Sequence, residues 1–378
     1  MRRHRLASPA SSVEEVARSV FGLHSSDPVS VYVSAWARMD AFAVADLEDA
    51  LYERRSLVRM LGMRRTMFVV PLDAAAVMDE SCTKAIASRE RTRLIRLIEE
   101  AGITPAGRAS RWLSRVERAT LDALEARGEA TARELSADVP ELREKIAVGE
   151  GKRWAGTMGM STRVLFLLAA NGVVVRGRPL GTFVSSQYRW APTERWLGEP
   201  LPTVGHAEAC AELVRRYLGA FGPATMIDIR WWTGWTARLA KTALADAGAV
   251  EIPLETGVGY VLENDVRAVR APGPSVALLP GLGPTIMGGK ERDWYVGPHA
   301  PRLFDRAGNA GPTVWVDGSV VGGWAQAADG EIRIELLEPV SAKARRAIDV
   351  QRERLHAWFG QGRFVTRFRS PLERSLVG

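Results

Sequence analysis

The chain has 378 residues, of which 46% are hydrophobic and 25% are charged, and its formal net charge is +7. This composition is typical of a soluble globular protein, and the length calls for about two to four domains. No run of about 18 apolar residues is present, which excludes a transmembrane helix. The basic N-terminus lacks the apolar segment of a secretory signal, so we expect a cytoplasmic protein.

The positive charge favours a polyanionic partner, although part of the excess belongs to solvated helix faces. Cys82 and Cys210 lie far apart in helical patterns and form neither a disulfide framework nor a zinc site. A nucleotide-dependent enzyme has no support, because there is no P-loop and no glycine-rich loop that leads from a strand into a helix. We therefore expect no metal and no cofactor.

The N-terminal hundred residues follow the order of a winged helix. Ser12, with a carboxylate three residues later, is a helix-capping signal, and a helix is predicted from there to about residue 23. Helices at 28–39 and 44–54 follow, and then β-like runs at 57–61 and 67–70 with Arg64 and Arg65 between them. Three helices followed by a hairpin give a winged helix; the alternative is a small α+β unit with a basic turn.

The same pattern occurs twice more, which indicates a tandem array. The second copy has helices at 112–127, 132–137 and 161–171, then strands at 173–178 and 182–190. The third has helices at 206–221, 226–232 and 236–248, then strands at 249–254 and 259–263. Thr131 and Thr225 each precede a short helix and are N-cap candidates.

After residue 275 short β-like runs with glycine turns predict a small β-subdomain, which a basic helix at 341–359 and a strand-like tail at 363–374 follow. The predicted fold class is α+β. The predicted domains are winged helices at 1–105, 106–200 and 201–272, and the β-subdomain with the C-terminal helix and tail at 273–378.

A polar run separates the first two helical patterns. It consists of His24, Ser25, Ser26 and Asp27, and Pro28 stands just inside the second helix. Such a cluster at a helix entrance is usually a cap and a turn.

Several segments resemble the AlkZ/YcaQ-like winged-helix DNA glycosylases, in order along nearly the whole chain. They are GLHSSDP at 22–28, LGMRRTMFVVP at 61–71, RGRPLGTF at 176–183, ATMIDIRWWTGWT at 224–236, LLPGLGPTIMGGKERDW at 278–294 and VWVDGSVVGGWAQ at 314–326. The resemblance implies three tandem winged helices and a small β-element in a C-shaped cradle around duplex DNA. It implies base excision repair by hydrolysis of the N-glycosidic bond of alkylated purines. In some members the lesion is a bulky antibiotic adduct or an interstrand crosslink.

The family's catalytic signature is Gln-x-Gln or Gln-x-Asp just after Gly-Leu, and here its two positions hold His24 and Ser26. Phe68 stands where many relatives have histidine, and Gly283 stands where relatives often have aspartate. Three interpretations of His24 remain open. It is the catalytic base or water-holder, or a DNA-contacting or structural residue in a member that binds without cutting, or a turn histidine with the chemistry elsewhere.

An alkylated purine is already cationic, so the enzyme needs to position a water and to stabilise positive charge on the sugar. A neutral histidine such as His24 can accept a proton from that water, and Ser26 can orient it. Asp27 offers a carboxylate, but it is one residue out of register with the signature and is the natural N-cap of the helix at Pro28. The catalytic candidates are thus His24, Ser26 and Asp27.

Basic and amide side chains on the predicted wings, recognition helices and glycine-rich turn are candidates for DNA contact. They are Arg64, Arg65, Lys152, Arg153, Arg163, Arg176, Arg178, Gln187, Arg189, Lys290 and Arg292. The tryptophan cluster at 231–235 is interpreted as core rather than a base-stacking platform. The expected partner is double-stranded DNA carrying alkylated purines, with no membrane, and a monomer suffices. The alternative function is a non-catalytic DNA-binding protein, a regulator or damage sensor.

Overall fold

The computed structural model describes residues 1–149, 151, 155–255, 257–267, 269–364, 366 and 368–377. The chain forms two compact units. The first comprises Met1–Leu57, Phe68–Pro71 and Cys210–Gly378, and the second comprises Val58–Met67 and Leu72–Ala209. Helices and strands alternate in both, which confirms the α+β class. No helix within the described ranges is long and apolar enough to cross a membrane.

The N-terminal elements follow the predicted order with one addition, the short strand β1, which replaces the end of a first helix that was predicted to reach residue 23. They are α1 (Val13–Ser19), β1 (Leu23–His24), α2 (Pro28–Trp36), α3 (Val44–Glu48), β2 (Leu57–Gly62) and β3 (Thr66–Pro71). The predicted cap is confirmed, because the Ser12 hydroxyl accepts a hydrogen bond from the Glu15 amide at 3.2 Å. Helix α3 continues into a π-helical turn at Asp49–Glu53, and the short strand β1 pairs antiparallel with β3.

The second unit carries the next repeat. Its elements are α4 (Leu72–Met78), α5 (Lys84–Glu100), α6 (Ala109–Arg127), β4 (Ala130–Thr131), α7 (Ala132–Asp138), β5 (Lys145–Val148), β6 (Gly156–Gly159), α8 (Met160–Ala170), β7 (Val174–Pro179), β8 (Tyr188–Pro192) and α9 (Thr193–Leu197). Leu113, Leu124, Val164 and Leu168 lie in its core. Thr131 caps α7 as predicted, in a reciprocal box with Glu134.

Two predictions in this repeat were wrong. The strand predicted at 182–190 begins only at Tyr188, because the residues before it form a loop in which Gly181 has φ of +82° and the Ser185 amide donates to the Thr182 carbonyl at 2.9 Å. Gln187 therefore lies in a turn before the strand. The hairpin of β5 and β6 stands where the sequence indicated a loop, and Lys152 and Arg153, predicted in that loop, lie outside the described residues.

The third repeat matches its prediction closely. Its elements are α10 (His206–Phe221), β9 (Ala224–Thr225), α11 (Met226–Thr233), α12 (Ala237–Asp246), β10 (Ala249–Leu254) and β11 (Gly257–Leu262). Strand β9 pairs with β11, just as β4 pairs with β8 in the preceding repeat. In both, a two-residue strand before the second helix joins the last strand of the hairpin, a topology consistent with winged helices.

The C-terminal region contains the predicted β-subdomain. Its elements are β12 (Val276–Leu279), α13 (Pro284–Met287), α14 (Asp293–Val296), α15 (Ala300–Leu303), β13 (Thr313–Val316), β14 (Ser319–Gln326), β15 (Ile332–Leu336), α16 (Ala342–Phe359) and α17 (Pro371–Val377). The four strands form an antiparallel sheet in chain order. The strand predicted at 363–374 was wrong, because Ser370 accepts the Glu373 amide at 3.2 Å and begins helix α17 with Pro371 at its first position.

Asp228 connects α11 to the glycine-rich segment before α14. One carboxylate oxygen accepts the Thr225 amide at 3.0 Å, and the other accepts the amides of Lys290 and Glu291 at 2.6 and 2.8 Å. A Cβ on Gly289 would lie 2.9 Å from this carboxylate. The segment can therefore approach Asp228 only because position 289 has no side chain.

Replacement of Asp228 tests this connection. We expect Asp228→Ala to lower the free energy of unfolding by about 2–4 kcal/mol, because three part-buried amides lose their acceptor. Chemical denaturation monitored by circular dichroism measures it. Asp246→Ala, at an exposed aspartate of α12, is the matched control and should change it by less than about 0.5 kcal/mol. Equal effects of the two substitutions would show that Asp228 does not hold the segment.

Candidate active site and DNA-binding residues

The turn from α1 into β1 sets the position of His24. Phe21 and Gly22 have φ angles of +45° and +101°, and the Gly22 amide donates to the Ala17 carbonyl at 2.7 Å. A Cβ at position 22 would lie 2.8 Å from Val70. The backbone conformation and the close approach both favour glycine, so the chain passes directly from the end of α1 into the strand.

Strand β1 places His24 opposite Phe68 on β3. The two rings meet edge to face, with centroids 5.7 Å apart. His24 is 6% exposed, Ser25 is buried and Ser26 is half-buried. His24 is therefore nearly enclosed, and too little of it is exposed for broad contact with a duplex.

Asp27 caps α2, as predicted. Its carboxylate accepts the Val29 amide at 3.1 Å, Pro28 occupies the first helical position, and the side chain is 2% exposed. On the same helix, the Ser30 hydroxyl donates to the Gly281 carbonyl at 2.9 Å. The carboxylate is thus engaged by the helix N-terminus, and its direct role is to fix the end of the His24–Ser26 run.

Arg64 and Arg65 form an exposed 3-10 turn between β2 and β3, with φ angles of +54° and +63°. Arg65 pairs with Glu90 at 3.1 Å and lies over the Phe166 ring. Burial, and to a smaller extent the charges of Arg65 and Arg93, lower the pKa of Arg163. The charge of Glu90 raises this pKa and offsets part of the effect. Arg65, Arg93 and Arg163 thus concentrate positive charge around Glu90. From the sequence, most arginines of the helix that contains Arg93 are predicted to lie on a solvated face or to contact phosphates.

On the hairpin of β7 and β8 only some of the predicted residues face solvent. Arg176 lies over the rings of Tyr188 and Trp190 at 5.5 and 5.1 Å, and buried Arg59 lies over Tyr188 at 4.7 Å. Arg178 and Arg189 are half-buried and Gln187 is exposed. Arg176 therefore packs the hairpin. Arg59 was missed, because the apolar run around it gives no sign of a cation.

The two predicted cations of the glycine-rich segment before α14 lie in different environments. Lys290 has an exposed side chain on an anchored backbone. Arg292 lies 4.4 Å over Phe304 and 5.2 Å over Trp231, and burial lowers its pKa. Lys290 alone of the two is open to a polyanion. Trp294, which the sequence did not single out, is 82% exposed.

The tryptophans of the cluster at 231–235 belong mainly to the core, as predicted. Trp232 and Trp235 are buried, and the Trp232 ring lies 4.7 Å from that of Tyr217 and 5.8 Å from that of Phe21. Phe21 precedes the glycine that starts the turn into β1. The cluster therefore supports the backbone that presents His24 instead of forming a stacking platform.

Of the comparisons with known proteins, one matches a family and one matches a fold. The family model described as "DNA glycosylase AlkZ-like" matches residues 17–358. The structure of the Streptomyces sahachiroi DNA glycosylase AlkZ is similar with a TM-score of 0.73 and 21% sequence identity, over 94% of each chain. No curated protein sequence matches the chain. The structural likeness concerns the fold, while the family match covers most of the sequence, including the His24–Ser26 run. The chain belongs to the AlkZ-like DNA glycosylase family.

Proposed function

We propose that the chain is a monofunctional DNA glycosylase that hydrolyses the N-glycosidic bond of alkylated purines in duplex DNA. Within this class, the specific substrates that we propose are bulky N7-guanine adducts and crosslinks, of the kind that arise in antibiotic self-resistance. The observation that carries the proposal is the family match together with the position of His24. By the sequence resemblance His24 takes the first signature position, and its backbone lies between the β1–β3 pairing and the Asp27 cap.

The chemistry assigned to the run needs few groups. The alkylated base leaves as a neutral molecule, because the bonding electron pair moves to its ring and neutralises the positive charge there, while positive charge develops on the sugar. A water then attacks the sugar carbon, and its proton passes to His24 while Ser26 orients it. Asp27 holds the end of the His24–Ser26 run in place, because its carboxylate accepts the Val29 amide at the N-terminus of α2.

A second candidate is a protein of the same fold that binds DNA without base release. The specific observation in its favour is the replacement of both signature glutamines, with His24 packed against Phe68. Both candidates require DNA binding, and base release separates them.

His24→Ala tests the catalytic assignment. The substrates are duplexes treated with a simple methylating agent and with a panel of bulky guanine alkylators, and the readout is the single-turnover formation of abasic sites. We expect the rate to fall by about 10²-fold or more, because loss of a general base typically costs that much. The DNA dissociation constant should change by far less. His24→Gln restores the amide of the signature, which can hold the water but cannot accept its proton, and should lose less activity than His24→Ala.

His206→Ala is the matched control, because His206 is exposed at the start of α10; it should cleave like the wild type. The catalytic assignment fails if His24→Ala binds less DNA yet cleaves each bound complex at the original rate. Absence of base release by the wild type on every substrate would favour the binding protein instead.

Arg64→Gly tests the first basic turn. Glycine adopts the observed φ of +54° without strain, so the variant should be as stable as the wild type within about 1 kcal/mol. If Arg64 contacts a phosphate, the slope of log affinity against log salt should fall by about 0.9. Fluorescence anisotropy over a salt series measures it. Arg302→Ala, which removes an arginine already bound by Glu335 at 2.9 Å, should leave the slope unchanged. An unchanged slope in Arg64→Gly would remove Arg64 from the DNA-binding set.

A further inference from the structure

An arginine-rich site lies where the turn between β2 and β3 meets helices α5 and α8. The turn and both helices belong to the second unit. A guanidinium nitrogen of Arg65 lies 3.1 Å from a carboxylate oxygen of Glu90 on α5, and the guanidinium carbon lies 5.5 Å from the centre of the Phe166 ring on α8. Arg65 therefore contacts both helices, while its side chain remains 41% exposed.

Helices α5 and α8 pack against each other and run in opposite directions. Near the start of α5, Ile86 shares an apolar cluster with Ala170 at the end of α8. Further along α5, Leu94 lies in a second cluster with Val164 of α8. Glu90, midway between Ile86 and Leu94, therefore lies opposite the middle of α8.

This packing brings two further arginines to the same place. Arg93 follows Glu90 by three residues on α5, and Arg163 precedes Phe166 by three residues on α8. Residues at this spacing lie on one face of a helix. Arg93 is exposed and makes no hydrogen bond or ion pair with any residue in the described ranges. Arg163 donates to the sulfur of Met158, which carries no charge.

The charges of this site do not balance. Arg65, Arg93 and Arg163 surround one carboxylate, that of Glu90, so three cations and one anion leave an excess of two positive charges among these described side chains. Phosphate oxygens accept several guanidinium hydrogen bonds at once and match such an excess. Helix α8 is the third helix of the second repeat, the one that a winged helix presents to DNA.

We propose that Arg65, Arg93 and Arg163 bind one phosphate of the duplex backbone, and that Glu90 is the counter-ion that this phosphate replaces. In the free protein, Glu90 holds Arg65 in an ion pair. On binding, a phosphate oxygen takes the place of the carboxylate, and the loss of the pair offsets part of the attraction. Glu90 therefore limits the affinity for any duplex, with or without a lesion. The inference rests on DNA as the partner in the proposed function, and not on base release.

Glu90→Gln tests the counter-ion. The substitution removes the competing charge and keeps the shape of the side chain. We expect it to tighten the binding of an unmodified duplex by about threefold or more at about 50 mM salt. Fluorescence anisotropy measures the dissociation constant.

Glu117→Gln is the matched control for this substitution. Glu117 is 14% exposed, as Glu90 is, and it also pairs with an arginine of α5, Arg91, but it lies on α6. The control should bind like the wild type. An equal gain in the two variants would reveal a general effect of net charge and would overturn the proposal, as would an unchanged affinity in Glu90→Gln.

Arg93→Gln tests the phosphate. Arg93 has no partner among the described residues to lose, so the melting temperature should stay that of the wild type. The affinity should fall by about threefold or more, and the slope of log affinity against log salt should fall by up to about 0.9, the value for one phosphate. Arg115→Gln on α6, at an exposed arginine paired with Glu141 at 3.5 Å, should leave the slope unchanged. An unchanged slope in Arg93→Gln contradicts a phosphate at this site.

A double-mutant cycle tests whether Glu90 acts through Arg65. In an Arg65→Gln background the carboxylate has no ion pair to release, so the gain from Glu90→Gln should fall to less than half. An undiminished gain would mean that Glu90 repels DNA directly, and its role as counter-ion would be wrong. If the wild type binds duplex DNA but releases no base from any substrate, the proposed glycosylase fails, and these binding measurements still decide the role of Glu90.

Discussion

The two-residue pairing of β1 with β3 is the contact on which the candidate site depends. Leu23 and His24 have no other regular structure, and Val69 and Phe68 opposite them supply the register. On one side the strand follows directly from the left-handed turn at Gly22, and on the other it leads to the Asp27 cap. His24 is therefore fixed by backbone on both sides, and its ring orientation is set by Phe68. A shift of one residue would move the imidazole to the opposite face of the strand.

The basic residues fall into two physical classes. Arg176 and Arg292 lie over aromatic rings and contribute packing through the flat guanidinium face. Arg64, Lys290 and the group around Glu90 keep charge at the surface. The net charge of the chain does not distinguish these classes, because a stacked arginine and a solvated one count equally in a sum. Only the second class adds to the field that attracts a polyanion.

The sequence predicted those features that are governed by local rules. The caps at Ser12, Thr131 and Thr225 depend on a side chain and an amide three residues away, and all three were found. The strand at 182–190 was predicted to start too early, because the loop that begins at Gly181 continues up to Tyr188 through local hydrogen bonds such as that from the Ser185 amide to the Thr182 carbonyl. The C-terminal tail was assigned to a strand although Ser370 and Pro371 are a helix-start signal. The burial of Glu373 on α17 could not be predicted from the sequence, because the elements that cover this helix, β14 and α15, are not adjacent to it in the chain.

The hydrogen bonds of Asp228 reduce the conformational entropy that the glycine-rich segment would lose on binding a ligand. The segment with exposed Lys290 and Trp294 would, as a free loop, sample many conformations and lose them on contact with a ligand. The amides of Lys290 and Glu291 are instead bound to a carboxylate that also caps α11. Much of that ordering has been completed during folding, so an indole at this position can meet a nucleic-acid surface already oriented. The segment is joined to helix α11 through Asp228, so the order of the segment depends on the stability of that helix.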